Sequence, residues 1–407
     1  MGQYATKLLG DLGADVIKVE PPGGDPWRAV GPFYRDDPDR EKSLLWWSWN
    51  TSKRSITLDI ATADGRALLV ELSRRADVLV ETFPPGFLEG LGVGYSRLRG
   101  GNPGLIYCSV TGFGLEGPHA HWLAHDLLGI AMSGIMHLAG YPDRAPVRPP
   151  GFQGFLSASI QAAQGILIAL YGRENGGPGQ LVEVSMQEAL SLAQETAMQT
   201  YDMRKEVRGR QGDVHLLPGV GTYECADGYV YSMVGVPGFG APWSVLGQWM
   251  DENGMAEDLM AARWQTLLAN INLRELTALW SQPDKLAAMM QKFQHVDSVL
   301  RRFYKSKSKR ELYEEGQGRR LLIGPVNSPR DLIENRQLEA REYFQHVHHD
   351  ELDATVVYPG PPFRLAKSPW AIRRRPPLIG EHNREVYREE LGLKPEEIDA
   401  LAGAGVI

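Results

Sequence analysis

Cysteine is nearly absent: the 407 residues hold two, Cys108 and Cys225. Two thiols cannot staple a small scaffold, and no pair has metal-ligand spacing, so neither a disulfide framework nor a metal site is expected. Cys108 stands in the apolar run from Leu105 to Val110 and reads as a buried thiol in a reducing compartment. An excess of one charge is lacking too. Lys and Arg number 43 against 50 Asp and Glu, a net charge of -7, which argues against a dedicated nucleic-acid surface. No apolar run reaches ~18 residues, so no membrane span is expected. The start from Met1 to Leu9 has no signal-peptide pattern, and the expected location is cytoplasmic. Phosphate-binding P-loops, Gly-x-Ser-x-Gly elbows and His-Glu-x-x-His motifs are missing, as are internal repeats. His346, His348 and His349 read as part of a solvated loop.

What is present is an alternation of helices and short apolar strands. Tyr4 to Leu12 has helical spacing and Ala14 to Val19 reads as a buried strand. The unit recurs as helix Gly65 to Arg75 with strand Asp77 to Glu81, and a further strand runs from Leu105 to Val110. This alternation predicts a parallel α/β sheet. The chain opens inside a helix, where a sheet of this type is expected to begin with a strand; a first strand of about twenty residues is expected to be lacking. Phe155 to Arg173 predicts a long helix of small residues and leucines, Gln180 to Val184 a strand, and Met186 to Met203 a helix. Arg204 to Gly221 reads as a linker. Thr222 to Val236 holds a hairpin about Asp227-Gly228. Helical patterns continue to about Arg320, with the basic stretch Arg301 to Arg310 as a solvated face. Pro359 to Pro377 reads as an extended connector and Lys394 to Ile407 as a short helix. The expected organisation is a large α/β domain over 1–205, a linker and small α+β domain over 206–324, and a return to the large domain over 325–407.

Local chemistry alone points only toward nucleotide binding. Gly151 to Gly154 lies at a helix start, where backbone N–H groups could hold an anion. Lys53-Arg54 follows Trp46, Trp47 and Trp49, and cations beside aromatic rings suit a nucleotide with phosphates.

Linked motifs carry more. The opening from Tyr4 through Gly10-Asp11-Leu12-Gly13-Ala14-Asp15 to Glu20-Pro21-Pro22 resembles that of class III CoA-transferases. The resemblance continues through Gly24-Asp25-Pro26-Trp27-Arg28, Ser52-Lys53-Arg54-Ser55 and Glu81-Thr82-Phe83-Pro84-Pro85-Gly86. Gly179-Gln180-Leu181-Val182-Glu183, Pro361-Pro362-Phe363-Arg364-Leu365 and Gly380-Glu381-His382-Asn383 complete it. It implies a Rossmann-like large domain, a small domain and an interlocked dimer. The substrates implied are coenzyme A thioesters and a carboxylic acid, with no covalently bound cofactor. By matching position it implies Arg28, Lys53 and Arg54 at the nucleotide phosphates, and Thr82 and Phe83 near adenine or pantetheine. One departure bears on affinity: Gly90 stands where many members carry an arginine.

A second departure bears on the reaction. The family's nucleophile is an aspartate after a glycine, ten residues before a Gly-Ile-Leu of the long helix. Counting back from Gly165-Ile166-Leu167 reaches Gly154-Phe155, and no aspartate occurs between Asp143 and Asp202. A carboxylate is required because it must attack the thioester and later leave; a phenyl ring does neither. The racemase branch of the family uses a His-Asp pair, present here as His125-Asp126, with the same aspartate and a later glutamate. The glutamate position falls near Gly238. Three readings follow from the resemblance: the nucleophile-lacking subunit of a heteromeric CoA-transferase, a CoA-thioester-binding homodimer with racemase- or isomerase-like chemistry at His125 and Asp126, or a non-catalytic acyl-CoA-binding protein.

Overall fold

The computed structural model describes every residue except 214, 216, 237 and 272–281; part of the helical stretch expected before Arg320 lies outside the described residues. The chain divides into two compact units. The large one takes 1–140, 144–210 and 336–407, the small one 141–143 and 211–335. The return to the large unit thus falls after 335 rather than 324. The reason is strand β8 (Ile323–Pro325), which pairs with the small unit's own sheet.

In the large unit, helix Gln3–Asp11 leads into β1 (Val16–Glu20), which pairs in parallel with β2 (Lys53–Thr57). Helix Ala63–Arg75 leads into β3 (Val78–Glu81). β3 pairs in parallel with β4 (Ile106–Thr111), and β4 with β5 (Leu181–Ser185). The parallel sheet therefore stands as two separate sheets among the described residues, β1–β2 and β3–β4–β5. β2 was legible only as a motif, yet all five of its residues are buried.

The long helix spans Gln153–Glu174 and packs against β4, β5 and helix Gln3–Asp11. Gly154, Ala158, Ser159, Ala162 and Ala163 form its buried side. Small side chains there let the helix approach the sheet closely, in keeping with the density of protein interiors. By length and composition this helix could cross a membrane, which the absence of a long apolar run in the sequence did not suggest; here 44% of its most apolar window is buried in the protein. Its other side leaves Ile160, Leu167, Ile168 and Tyr171 exposed along one stripe.

The helix expected over Met186 to Met203 is broken. It runs Met186–Ser191, passes through a 3₁₀ turn and restarts at Ala197 after Glu195, which takes φ 52. The histidine-rich segment is not a loop. β9 (Gln345–His349) and β10 (Ala354–Tyr358) form an antiparallel hairpin, and His349 is fully buried against Trp47 and Tyr358. After the irregular connector, a π-helical turn at Glu385–Glu390 and helix Pro395–Gly403 close the chain, with Tyr387 donating from its hydroxyl to the Thr57 carbonyl of β2.

The small unit is α+β. β6 (Val220–Cys225) and β7 (Gly228–Met233) form the hairpin at Asp227-Gly228, with Gly228 at φ 149. Its core joins Tyr223, Trp243, Trp249, Phe303 and Tyr304, mainly from the hairpin and helices Trp243–Glu252 and Pro283–Lys305.

Candidate active site

The site begins at the start of the long helix. Four aromatic rings meet there. Phe152 and Phe155 stack with centroids 5.8 Å apart, and Trp27 stands edge-on to both at 5.2 and 5.7 Å. Trp49 closes the group at 5.8 Å from Phe152. Phe155 keeps 6% of its surface exposed. Where a transferase nucleophile was sought, the chain has an apolar floor sealed by ring-to-ring contact.

The backbone N–H of Phe155 donates to Asp126 Oδ1 at 2.9 Å. The anion cradle suggested at Gly151 to Gly154 is thus occupied by the chain's own carboxylate, which caps the long helix as an N-terminal acid should. Gly154 suits this approach, because a Cβ would lie 3.0 Å from Asp126 Oδ1 and 3.1 Å from Met186 Sδ, and those neighbours would have to shift by a few tenths of an ångström. Asp126 is itself buried, at 1% exposure, and its Oδ2 meets no hydrogen-bond partner among the described residues. His125 is exposed beside it, its ring 5.7 Å from Phe155. His125 Nδ1 accepts from the Leu127 N–H at 3.4 Å, capping helix Asp126–Met132 and leaving Nε2 for a solute.

The three cations nominated for the phosphates all have partners within the chain. Arg28 is fully buried. Its Nε and Nη2 donate to Glu20 at 2.7 and 2.8 Å, Nη1 to Glu41 at 2.6 Å, and Nη2 also to the Pro377 carbonyl, while Trp46 lies 3.9 Å from the guanidinium carbon. Lys53 is 1% exposed and donates to the Gln3 and Trp49 carbonyls and to Asn50 Oδ1, at 2.7, 2.9 and 2.8 Å. Burial, with Lys18 and Lys7 adding like charge, pushes its ammonium well below the usual range. Arg54 is shared by Asp15, Glu385 and Glu390. A phosphate at any of the three would have to displace a carboxylate or a backbone carbonyl. The Trp-rich stretch does pair with cations, but the cations are Arg28 and Lys18, both over Trp46.

Thr82 and Phe83 follow β3, and Phe83 stacks on Phe87 at 4.7 Å with both rings exposed. Two acids adjoin this turn. Burial raises the Glu81 carboxyl above its usual range, and Glu89 adds to the effect. Gly90 faces open space. Glu81, Glu89, Tyr95, Tyr107 and Ser109 line a cavity of about 160 Å³ beside it. Sequence reasoning missed the Trp27–Phe152–Phe155 group, though Trp27 sits inside a quoted motif. It also missed Glu20 and Glu41 as the partners of Arg28.

Residues 1–383 match CoA-transferase family III. The chain belongs to this family. The BbsE subunit of succinyl-CoA:(R)-benzylsuccinate CoA-transferase from Thauera aromatica is 37% identical over the whole chain and 95% of its own length. Formyl-CoA:oxalate CoA-transferase of Streptomyces avermitilis is 35% identical, with 100% of this chain and 96% of that protein covered. The beta subunit of succinyl-CoA–L-malate CoA-transferase from Chloroflexus aurantiacus is 30% identical over 99% of this chain and 94% of that one. Among solved structures, a CAIB/BAIF family protein from Brucella suis superposes with a TM-score of 0.79 at 27% identity, covering 95% and 94% of the two chains. The fold is therefore that of the class III CoA-transferases, and the chain is a homologue of enzymes named as CoA-transferases.

Proposed function

We propose that this chain is the subunit without the nucleophile in a heteromeric acyl-CoA:carboxylate CoA-transferase, and that a homologous chain supplies the aspartate. The observation that carries the reading is Phe155, held by Trp27, Phe152 and Trp49 at the position where the family's carboxylate belongs. Relatives named as subunits of such enzymes support it. The exposed stripe of the long helix supports a partner chain, and an interlocked pair would cover it. In this reading the exposed Phe83–Phe87 stack beside Thr82 offers a wall for adenine or pantetheine, whereas Arg28, Lys53 and Arg54 hold the fold. The chemistry passes through the partner's aspartate: its carboxylate displaces the CoA thiolate to form an acyl anhydride, the thiolate displaces the donor acid to form the aspartyl-CoA thioester, and the incoming acid and CoA reverse the two steps to release the new acyl-CoA and the free aspartate.

The test is turnover with succinyl-CoA and a panel of carboxylic acids, for this chain alone and mixed with its homologue. Activity confined to the mixture, and lost when the homologue's aspartate is replaced, supports the proposal. Turnover by this chain alone overturns it.

A second reading has one observation in its favour. Asp126 Oδ2 is buried without a hydrogen-bond partner among the described residues, and the adjoining His125, whose Nδ1 accepts from Leu127, presents Nε2–H as a donor that could polarise a thioester carbonyl. Deuterium uptake at the carbon next to an acyl-CoA thioester, catalysed by this chain alone and abolished in His125→Gln, would favour it. If neither activity appears in any mixture, the remaining reading is a non-catalytic acyl-CoA-binding protein.

A further inference from the structure

Outside the site, a group of titratable side chains lies where the chain enters the small unit. His215 sits there with 4% of its side chain exposed, 4.6 Å from the Tyr223 ring. Gly221 forms part of the seat. It takes φ 144, and a Cβ on it would fall 2.2 Å from the imidazole.

The two ring nitrogens face different surroundings. Nε2 lies 3.2 Å from Asp213 Oδ1 and 3.1 Å from the Thr222 carbonyl. Both are acceptors, so Nε2 carries hydrogen in either charge state. Nδ1 lies 2.9 Å from Asp297 Oδ1 and 3.2 Å from Arg301 Nη2, an acceptor and a donor at one atom. A protonated Nδ1 donates to Asp297. A bare Nδ1 can accept only from Arg301. Asp297 and Arg301 stand one turn apart on helix Pro283–Lys305 and are themselves paired at 2.7 Å. The charged and titratable groups facing the ring are thus Asp213 from the entering segment, Tyr223 from β6, and Asp297 and Arg301 from the helix.

We propose that His215 is a proton switch which bonds Asp297 of helix Pro283–Lys305 when charged, and exchanges that bond for one from Arg301 of the same helix when neutral. Asp297 also accepts from the Tyr223 hydroxyl, which in turn accepts from the Gly219 N–H at 2.8 Å. The exchange therefore reaches the start of β6 through Tyr223. The Asp297 hydrogen bond raises the His215 pKa, so the charged arrangement is held at and above the ordinary imidazole range. The sign follows: the charged bond is present in full below that range and is lost as pH rises through the raised value.

The test uses the full chain with ¹⁵N-labelled histidine. Below its midpoint His215 shows two protonated nitrogens, and above it the Nε2–H form alone. Asp297→Asn lowers the midpoint and Arg301→Met raises it, each by about one unit or more for charges at this distance. A neutral Nδ1–H form, a midpoint below the ordinary imidazole value, or a midpoint unmoved in Arg301→Met would each overturn the switch. Because Arg301 is half-exposed, its variant stays informative if Asp297→Asn fails to fold.

Discussion

Under the subunit reading a phenyl ring stands where the family has a carboxylate, which makes Phe155 testable from both sides. Replacing it with alanine removes most of a buried aromatic side chain, and thermal melts should show a loss of about 3–5 kcal/mol. Under the subunit reading, kcat of the assembled mixture per folded complex stays within twofold, because Phe155 performs no step. Arg28→Met should also cost about 3–5 kcal/mol, since it strands Glu20 without its ionic partner in the interior. Denaturant titration measures that cost, and KM for the CoA thioester should not follow it. Gly90→Arg is the opposite experiment. The position is open and its backbone admits a side chain, so a new cation should tighten CoA binding by roughly 3- to 10-fold, read by calorimetry. The sequence could place these residues through motifs, but it could not say what neutralises them. Arg28 finds Glu20 and Glu41 nearby in the chain, whereas Arg54 finds Glu385 and Glu390 more than three hundred residues away. Pairings that fold brings together have no local signature.

At the scale of elements, legibility followed burial pattern. β1, β3, β4 and β5 are short apolar runs between turn signals, and the reading placed each of them to within a few residues. The β9–β10 hairpin escaped because β9, Gln345–His349, is four-fifths polar and reads as a loop, although β10, Ala354–Tyr358, carries an ordinary β-branched strand pattern. His349 gives that hairpin a pH signature opposite in sign to that of His215. Burial lowers its pKa, with Arg375 and His348 assisting and Glu351 opposing. The neutral ring bonds Glu351 through Nδ1 at 3.0 Å and Tyr358 through Nε2 at 2.9 Å. A histidine held neutral contributes stability above its ordinary pKa and loses it as pH falls below that value. Hydrogen exchange in 345–358, corrected for intrinsic rate, should therefore accelerate from pH 7 to pH 5.5, and His349→Phe should flatten the change. The π-turn was equally invisible. Its wider winding sets Glu385 and Glu390, five residues apart, onto the single guanidinium of Arg54, a pairing an α-helix would splay.

For the whole molecule, the two-unit organisation was legible from the linker and the hairpin, although the last boundary moved because three residues of β8 complete the small sheet. The small unit has its own continuous core, from Leu217 to Ile323. A fragment spanning 211–335 should accordingly fold alone, with a cooperative melt and dispersed amide resonances; a molten fragment would show that its core depends on the rest of the chain.

The exposed stripe of Ile160, Leu167, Ile168 and Tyr171 has a further consequence in the cell. A polypeptide that leaves such a ridge uncovered after synthesis displays the surface that chaperones and proteases survey. Under the subunit reading, chain made in excess of its partner should therefore turn over faster than chain made with it, which pulse-chase labelling of the two expressed alone and together would measure.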